Sequence, residues 1–115
     1  MGLVLDEFAR EHWIAPGEKA LFAGDFNAVE DEPAIQLVSE KMQDTYRVKH
    51  PTEPGYTWTK TNPLSGGNAP NRRLDYIFCP QGVQIHKADV ILNEPGTPYL
   101  SDHFGVFAEL SWKAA

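Results

Sequence analysis

The sequence predicts a layered α/β fold, a mainly antiparallel sheet with helices on one face, and three observations carry that expectation. Helical spacing of apolar residues is confined to the first half of the chain. Short apolar runs with two-residue alternation dominate the second half, and a long polar loop separates the two. Strands in hairpin-like succession after early helices fit a layered sheet and do not fit a helical bundle. A length of 115 residues suits one core, and 42% hydrophobic with 23% charged residues is an ordinary globular composition.

Taken in order, Leu3 to Trp13 places Leu3, Val4, Phe8 and Trp13 in a pattern compatible with a helix that Pro16-Gly17 ends. Lys19 to Ala23 is short and apolar on both alternating faces, which predicts a central strand buried on both sides. That run stops at Gly24-Asp25-Phe26-Asn27, where Gly24 allows close approach of other backbone. Asp25 and Asn27 lie two residues apart, so in extended chain their side chains share a face. A carboxylate beside a carboxamide there suits a metal or a phosphoryl group. Equally, Asp and Asn favour loop starts by bonding their own backbone, and the pair alone leaves both readings open.

Pro33 and the acidic residues before it mark a helix start, with Ala34, Leu37, Val38 and Met42 as its apolar face. Glu30, Asp31 and Glu32 read as charges at that helix N-terminus. The Pro-, Gly- and Asn-rich stretch from Lys49 to Arg73 predicts loop around one short strand at Tyr56-Thr57-Trp58. A loop of that length in a small domain is more often functional than idle. Three strands follow, over Leu74 to Cys79, Val83 to Leu92 with an irregularity near Lys87-Ala88, and His103 to Trp112. The last sets Phe104, Val106, Ala108, Leu110 and Trp112 against His103, Gly105 and Phe107.

Polar residues gather at strand ends: Asp25 and Asn27 close the first, Asp75 opens the next long one, and Asp102-His103 opens the last. If the first strand opposes the other two, all five meet at one edge of the sheet. A carboxylate such as Asp75 would fix the tautomer of a histidine and raise its basicity. An acidic cluster would also attract a hard divalent cation.

Composition narrows the partners. The net charge is −6 and basic residues are scattered except for Arg72-Arg73, so no basic patch supports non-specific nucleic-acid binding. A locally positive catalytic groove remains compatible with that balance, and Arg72-Arg73 reads either as facing a phosphate or as a solvated loop pair. Cys79, the only cysteine, leaves no intrachain disulfide or zinc cluster and reads as a small buried residue. No apolar stretch approaches a membrane span and no signal-peptide pattern opens the chain, so a soluble segment of open compartment is expected. His12, His50 and His86 match no ligand spacing and read as surface or edge residues. Trp13 and Trp112 read as packing, while Trp58 packs beneath the site or touches substrate.

Gly24-Asp25-Phe26-Asn27, Thr57-Trp58, Arg73-Leu74-Asp75-Tyr76-Ile77-Phe78 and Ser101-Asp102-His103-Phe104-Gly105-Val106 occur in that order. Together they resemble the C-terminal half of the endonuclease/exonuclease/phosphatase superfamily, the DNase I-like metal-dependent phosphoesterases. The resemblance implies a DNase I-like sandwich and a Mg²⁺-dependent phosphodiester hydrolase, with Mn²⁺ as an alternative ion. It makes Asp25 the residue that positions or activates water, and also a metal ligand. Asn27 would bond a phosphoryl oxygen or that water, and Asp75 and His103 would form a dyad in which His103 is general base or charge stabiliser. Asp102 would lie at the metal or its waters.

The family's N-terminal half carries an Asn motif, a metal-binding Glu and further phosphate contacts, and nothing here matches it. Residues 1–115 are therefore expected to be the C-terminal half of such a domain, weakly active or inactive alone. The missing half or a second copy would cover the exposed sheet face. "GTPYLSDHFGVFAEL" and "NRRLDYIF" look most like the neutral sphingomyelinase and inositol-phosphosphingolipid phospholipase branch. DNA-repair members more often hold Pro where this chain has Gly105. A lipid or small phosphodiester is thus the expected substrate. The alternatives are a nuclease of the same superfamily and a non-catalytic assembly module.

Overall fold

The computed structural model of the protein describes residues 20–66, 70–93 and 99–112. The helix expected over Leu3 to Trp13, and with it His12 and Trp13, lies outside the described residues. The described elements are β1 (Phe22–Asp25), α1 (Pro33–Lys41), β2 (Met42–Asp44), α2 (Thr45–Lys49), a 3₁₀ turn (Pro63–Ser65), β3 (Asp75–Pro80), β4 (Gln84–Ile91) and β5 (Gly105–Ser111). Among them no helix is long and apolar enough to cross a membrane.

The strands divide between two antiparallel sheets, β1-β3-β2 and β4-β5. β3 is the centre of the first, because alternation along it supplies two apolar faces. Tyr76 and Phe78 join Phe26, Ala28, Ala34, Ile35, Val38 and Met42 in one core cluster beneath α1. Cys79, on the other face, packs with Val83, Ile85 and Ala88 of the β4-β5 layer, against Ala108 and Leu110. Five stacked or tilted aromatic pairs link Phe22, Phe26, Tyr76 and Phe78 within the first cluster. The mainly antiparallel layered α/β architecture is as expected, with the strands shared between two sheets rather than gathered in one.

Several elements differ from the sequence reading. The run expected as a doubly buried central strand is β1, which among the described residues lies at the edge of its sheet, and Ala23, Gly24 and Asp25 are exposed. A short apolar run without alternation does not distinguish the two placements. Gly24 meets nothing closer than ordinary contact; its φ of +145° is what favours glycine there. Met42 sits i+4 from Val38 and so imitates the helix face, yet it opens β2. Tyr56-Thr57-Trp58 forms no strand, only an isolated antiparallel bridge between Trp58 and Arg72. The irregularity in β4 falls between Ile85 and Lys87, as a register shift against β5.

Helix α1 begins at Pro33 as expected, and Glu32 at its N-cap accepts the Val29 N–H at 2.5 Å. Its most buried side chain is Ile35, at 0% exposure. Helix α2 is capped by Asp44, whose carboxylate accepts the Arg47 N–H at 3.3 Å. Thr45 ties α2 to the central strand through a 2.8 Å hydrogen bond from its hydroxyl to the Ile77 carbonyl. Cys79 is buried as expected, and burial pushes its thiol up to about 11 despite a contact from Gln43, which leaves it protonated and inert.

Candidate active site

The antiparallel register of β1 on β3 pairs Phe22 with Phe78, Ala23 with Ile77, Gly24 with Tyr76 and Asp25 with Asp75. Two carboxylates therefore stand directly opposite each other at the end of the ladder. Such a pair of like charges is unfavourable unless something positive lies against both. Alternation along β3 sends Asp75 to the same face as Ile77 and Cys79, the face toward the second sheet. The segment that leads into β5 brings His103 to that place. His103 Nδ1 lies 2.7 Å from Asp75 Oδ2, and Nε2 lies 3.6 Å from Asp25 Oδ2.

The short contact fixes the tautomer. Asp75 accepts, so Nδ1 carries the proton and Nε2 faces outward toward Asp25. Burial works against charge on His103. The hydrogen bond to Asp75, then the charges of Asp75, Asp25 and Asp102, outweigh it and raise the pKa above the ordinary histidine value. The edge of the imidazole is also set by Trp58, whose ring meets it in a T-shape with centroids 5.1 Å apart. Trp58 thus packs against the site's histidine.

Asp25, Asp75 and His103 each offer a ligand atom, and these lie within 4.8 Å of one another. Oxygen donors suit a hard divalent cation, and two carboxylates with open positions fit the water-rich coordination of Mg²⁺. Asp25, half-exposed, presents the more accessible carboxylate; Asp75 is 14% exposed and already serves the histidine. Asp102 is not among the three residues whose ligand atoms converge. Its carboxylate accepts from the Ser101 hydroxyl at 3.3 Å and acts on His103 through its charge. Asn27 stands just past β1 with φ +49°, a left-handed conformation that Asn tolerates, and its N–H donates to Asp25 Oδ1 at 2.8 Å. Asp25 thus bonds the backbone of the loop it opens, and the Asn27 side chain is exposed.

The strand ends are held by residues of the same motifs. The Phe26 N–H donates to the Leu74 carbonyl at 2.9 Å and extends the ladder past Asp25. Tyr76 donates to the Ala28 carbonyl at 2.8 Å, with the Arg73 carbonyl a further acceptor at 3.0 Å, so it ties the loop after Asp25 to β3. Burial, which the nearby Arg73 opposes, raises the pKa of that phenol and keeps it a donor.

Of the arginine pair, Arg73 faces no solvent. It is 4% exposed and makes a bidentate contact with Asp44, with Glu30 a further partner at 3.2 Å. Its guanidinium lies over the Tyr76 and Tyr46 rings. Glu30 is held by Arg47 and Arg73 rather than acting as a helix N-terminal charge, and those partners lower its pKa against the cost of burial. Arg72 is exposed, in backbone register with Trp58. His50, expected at the surface, stacks on Tyr46 and bonds the Ala88 carbonyl at 2.6 Å. His86 stays exposed against Ser111, and Trp112 is 37% exposed rather than packed.

A model of the family described as endonuclease/exonuclease/phosphatase matches residues 3–103. The chain is similar to a conserved, functionally unknown protein of Enterococcus faecalis, at 26% identity and TM-score 0.63, over 96% of this chain and 42% of that one. It is similar to an endonuclease/exonuclease/phosphatase family protein of Leptotrichia buccalis, at 23% identity and TM-score 0.63, over 90% and 39%. The endonuclease/exonuclease/phosphatase of Bacteroides vulgatus is similar at 20% identity and TM-score 0.65, over 96% and 42%. The chain thus spans about two fifths of the length of these solved structures. Among curated proteins none matches.

Proposed function

Because the chain belongs to the endonuclease/exonuclease/phosphatase family, we propose that it serves metal-dependent hydrolysis of a phosphodiester, with Asp25, Asn27, Asp75 and His103 as the working set. The observation that carries this reading is the opposed Asp25–Asp75 pair with His103 against both carboxylates.

In this account Asp75 holds the imidazole through Nδ1 and leaves Nε2 to exchange a proton. At neutral His103, Nε2 accepts a proton from a water that Asp25 orients. At protonated His103, the imidazolium stabilises charge that builds on the phosphoryl oxygens. Asn27 donates to such an oxygen without adding charge. Asp25 would hold Mg²⁺ or Mn²⁺, with Asp102 adding negative charge to the site. The chemistry supplied by that ion is neutralisation of the phosphate and of the leaving oxygen, a contribution of about several kcal/mol.

Substrate preference rests on the acidic net charge of −6 and on the sphingomyelinase-like flavour of the last two motifs. Both favour a lipid or small phosphodiester over nucleic acid. The test is a panel of substrates offered to the full-length protein in Mg²⁺: phosphocholine- and phosphoinositol-bearing sphingolipids in mixed micelles, a bis-aryl phosphodiester, and single- and double-stranded DNA. Higher kcat/KM on the lipids or the aryl diester is expected. Preference for DNA would replace the lipid reading by a nuclease, and a folded protein inert on all of them would point to an assembly module.

A further inference from the structure

His103 does not sit in a strand. It lies in the irregular segment 101–103, and β5 begins only at Gly105. An imidazole that must keep a 2.7 Å contact to Asp75 needs its backbone held, and the hydrogen bonds around that segment come from one excursion of the chain, residues 57–65. At the downstream end the Phe104 N–H donates to the Thr57 carbonyl at 2.7 Å. At the upstream end the Asn62 carboxamide donates from Nδ2 to the Ser101 carbonyl at 2.9 Å. Ser101 passes the restraint on: its hydroxyl oxygen accepts the His103 N–H at 3.2 Å and its hydroxyl proton reaches Asp102 at 3.3 Å.

Asn62 is 0% exposed, and every polar group of its side chain is used. Oδ1 accepts the Leu64 N–H at 3.0 Å and caps the 3₁₀ turn. The Asn62 carbonyl accepts from the Ser65 N–H and hydroxyl. Asp, Ser or Thr would cap that turn as well as Asn does. Only a carboxamide caps the turn and also donates to a carbonyl across the site. The choice of Asn at this buried position is therefore explained by the bond to Ser101 and not by the turn.

We propose that Asn62 is a positioning residue for the catalytic histidine, acting through the Ser101 carbonyl to fix the backbone from which His103 reaches Asp75. The proposal rests on the reading of Asp75 and His103 as the working pair. It gives the polar loop a structural function: the loop is the clamp for the histidine segment, closed by Thr57 at one end and, at the other, by Asn62, which lies in none of the recognised motifs.

The test uses nuclear magnetic resonance on the full-length protein at one fixed pH, with two variants. Asn62→Asp keeps the cap on Leu64 and loses the donor to Ser101. Ser65→Ala loosens the same turn and leaves the Asn62–Ser101 bond. In the wild type, the Asn62 side-chain amide protons and the Phe104 amide should exchange slowly and together. The His103 Nδ1 proton, held by Asp75, should give a resolved downfield signal. That signal should persist in Ser65→Ala and be lost in Asn62→Asp, where kcat falls by roughly tenfold to a hundredfold with KM nearly unchanged. Freely exchanging Asn62 amide protons in the wild type would overturn the proposal without recourse to any variant. So would an Nδ1 signal that survives in folded Asn62→Asp, or one lost equally in Ser65→Ala. A wild type inert on every phosphodiester, with the resonance results as expected, would overturn the proposed reaction and uphold the clamp.

Discussion

Asp25 and Asp75 face each other across the β1–β3 ladder, and His103 lies against both, at 3.6 Å and 2.7 Å. Asp25 also accepts the N–H of Asn27 in the loop that follows it. Each carboxylate is fixed by strand register, and the register is fixed by the aromatic stack of Phe22, Phe26, Tyr76 and Phe78 one layer below. The core and the site are thus parts of one ladder, and a slip of one residue would separate the carboxylates.

Replacing Asp75 by Asn leaves an uncharged partner for Nδ1 and removes the charge that favours the imidazolium. Phosphodiester turnover should fall by roughly two to four orders of magnitude, the range for losing acid–base function. Circular dichroism should show the fold intact. Turnover within a factor of about three of wild type would remove Asp75 from the mechanism.

The Arg73–Asp44 pair predicts a stability effect separate from chemistry. Both side chains are buried, 4% and 8% exposed, so Arg73→Met strands the Asp44 carboxylate in the interior. Urea unfolding should show a loss of about 3 kcal/mol or more. Arg73→Lys should recover only part of it, because an ammonium does not reproduce the bidentate contact or the stacking on Tyr46 and Tyr76. A fully stable Arg73→Met variant would mean that this network is incidental.

Much of this was legible beforehand, for reasons particular to certain residues. The meeting of Asp25, Asp75 and His103 could be expected because strand ends and side-chain chemistry are both local properties of sequence. Pro33 declares a helix start in the same way. β2 and α2, with three and five residues, are too short to show a period, and Met42 falls at the helical spacing from Val38. Arg73 was ambiguous because only the fold reveals that Asp44, 29 residues away, meets it in the core. Asn62 carried no signal, since its role rests on a contact with Ser101 across 39 residues of sequence.

Phe78 fills the middle of the first core cluster at 0% exposure. Phe78→Ala should cost about 3–5 kcal/mol. Because the same side chain sets the β1–β3 register, the residual folded protein should also bind divalent cations more weakly. A stability loss below about 1 kcal/mol would contradict this view of the core.

His50 gives a pH dependence whose sign is fixed. Burial disfavours its charge, but the Ala88 carbonyl, Glu53 and Asp89 prevail and raise its pKa. A raised folded-state value means that the stabilisation is complete below the unfolded value of about 6.5 and is lost as pH rises through the folded value. The stability difference between wild type and His50→Gln should therefore shrink from mildly acid to alkaline pH. His103 titrates in the same direction in both proteins and cancels in the difference. A difference that grows with pH would show that His50 is held neutral.

The most direct measurement is the rate at which the full-length protein hydrolyses a bis-aryl phosphodiester, taken in Mg²⁺, in EDTA, after Mg²⁺ is restored, and again for His103→Ala. Turnover in Mg²⁺, its loss in EDTA and its recovery on restoring the ion are expected. The rate for His103→Ala should be lower by roughly two or more orders of magnitude. Turnover that survives both EDTA and His103→Ala would contradict a metal-assisted reaction at the Asp25–Asp75–His103 cluster.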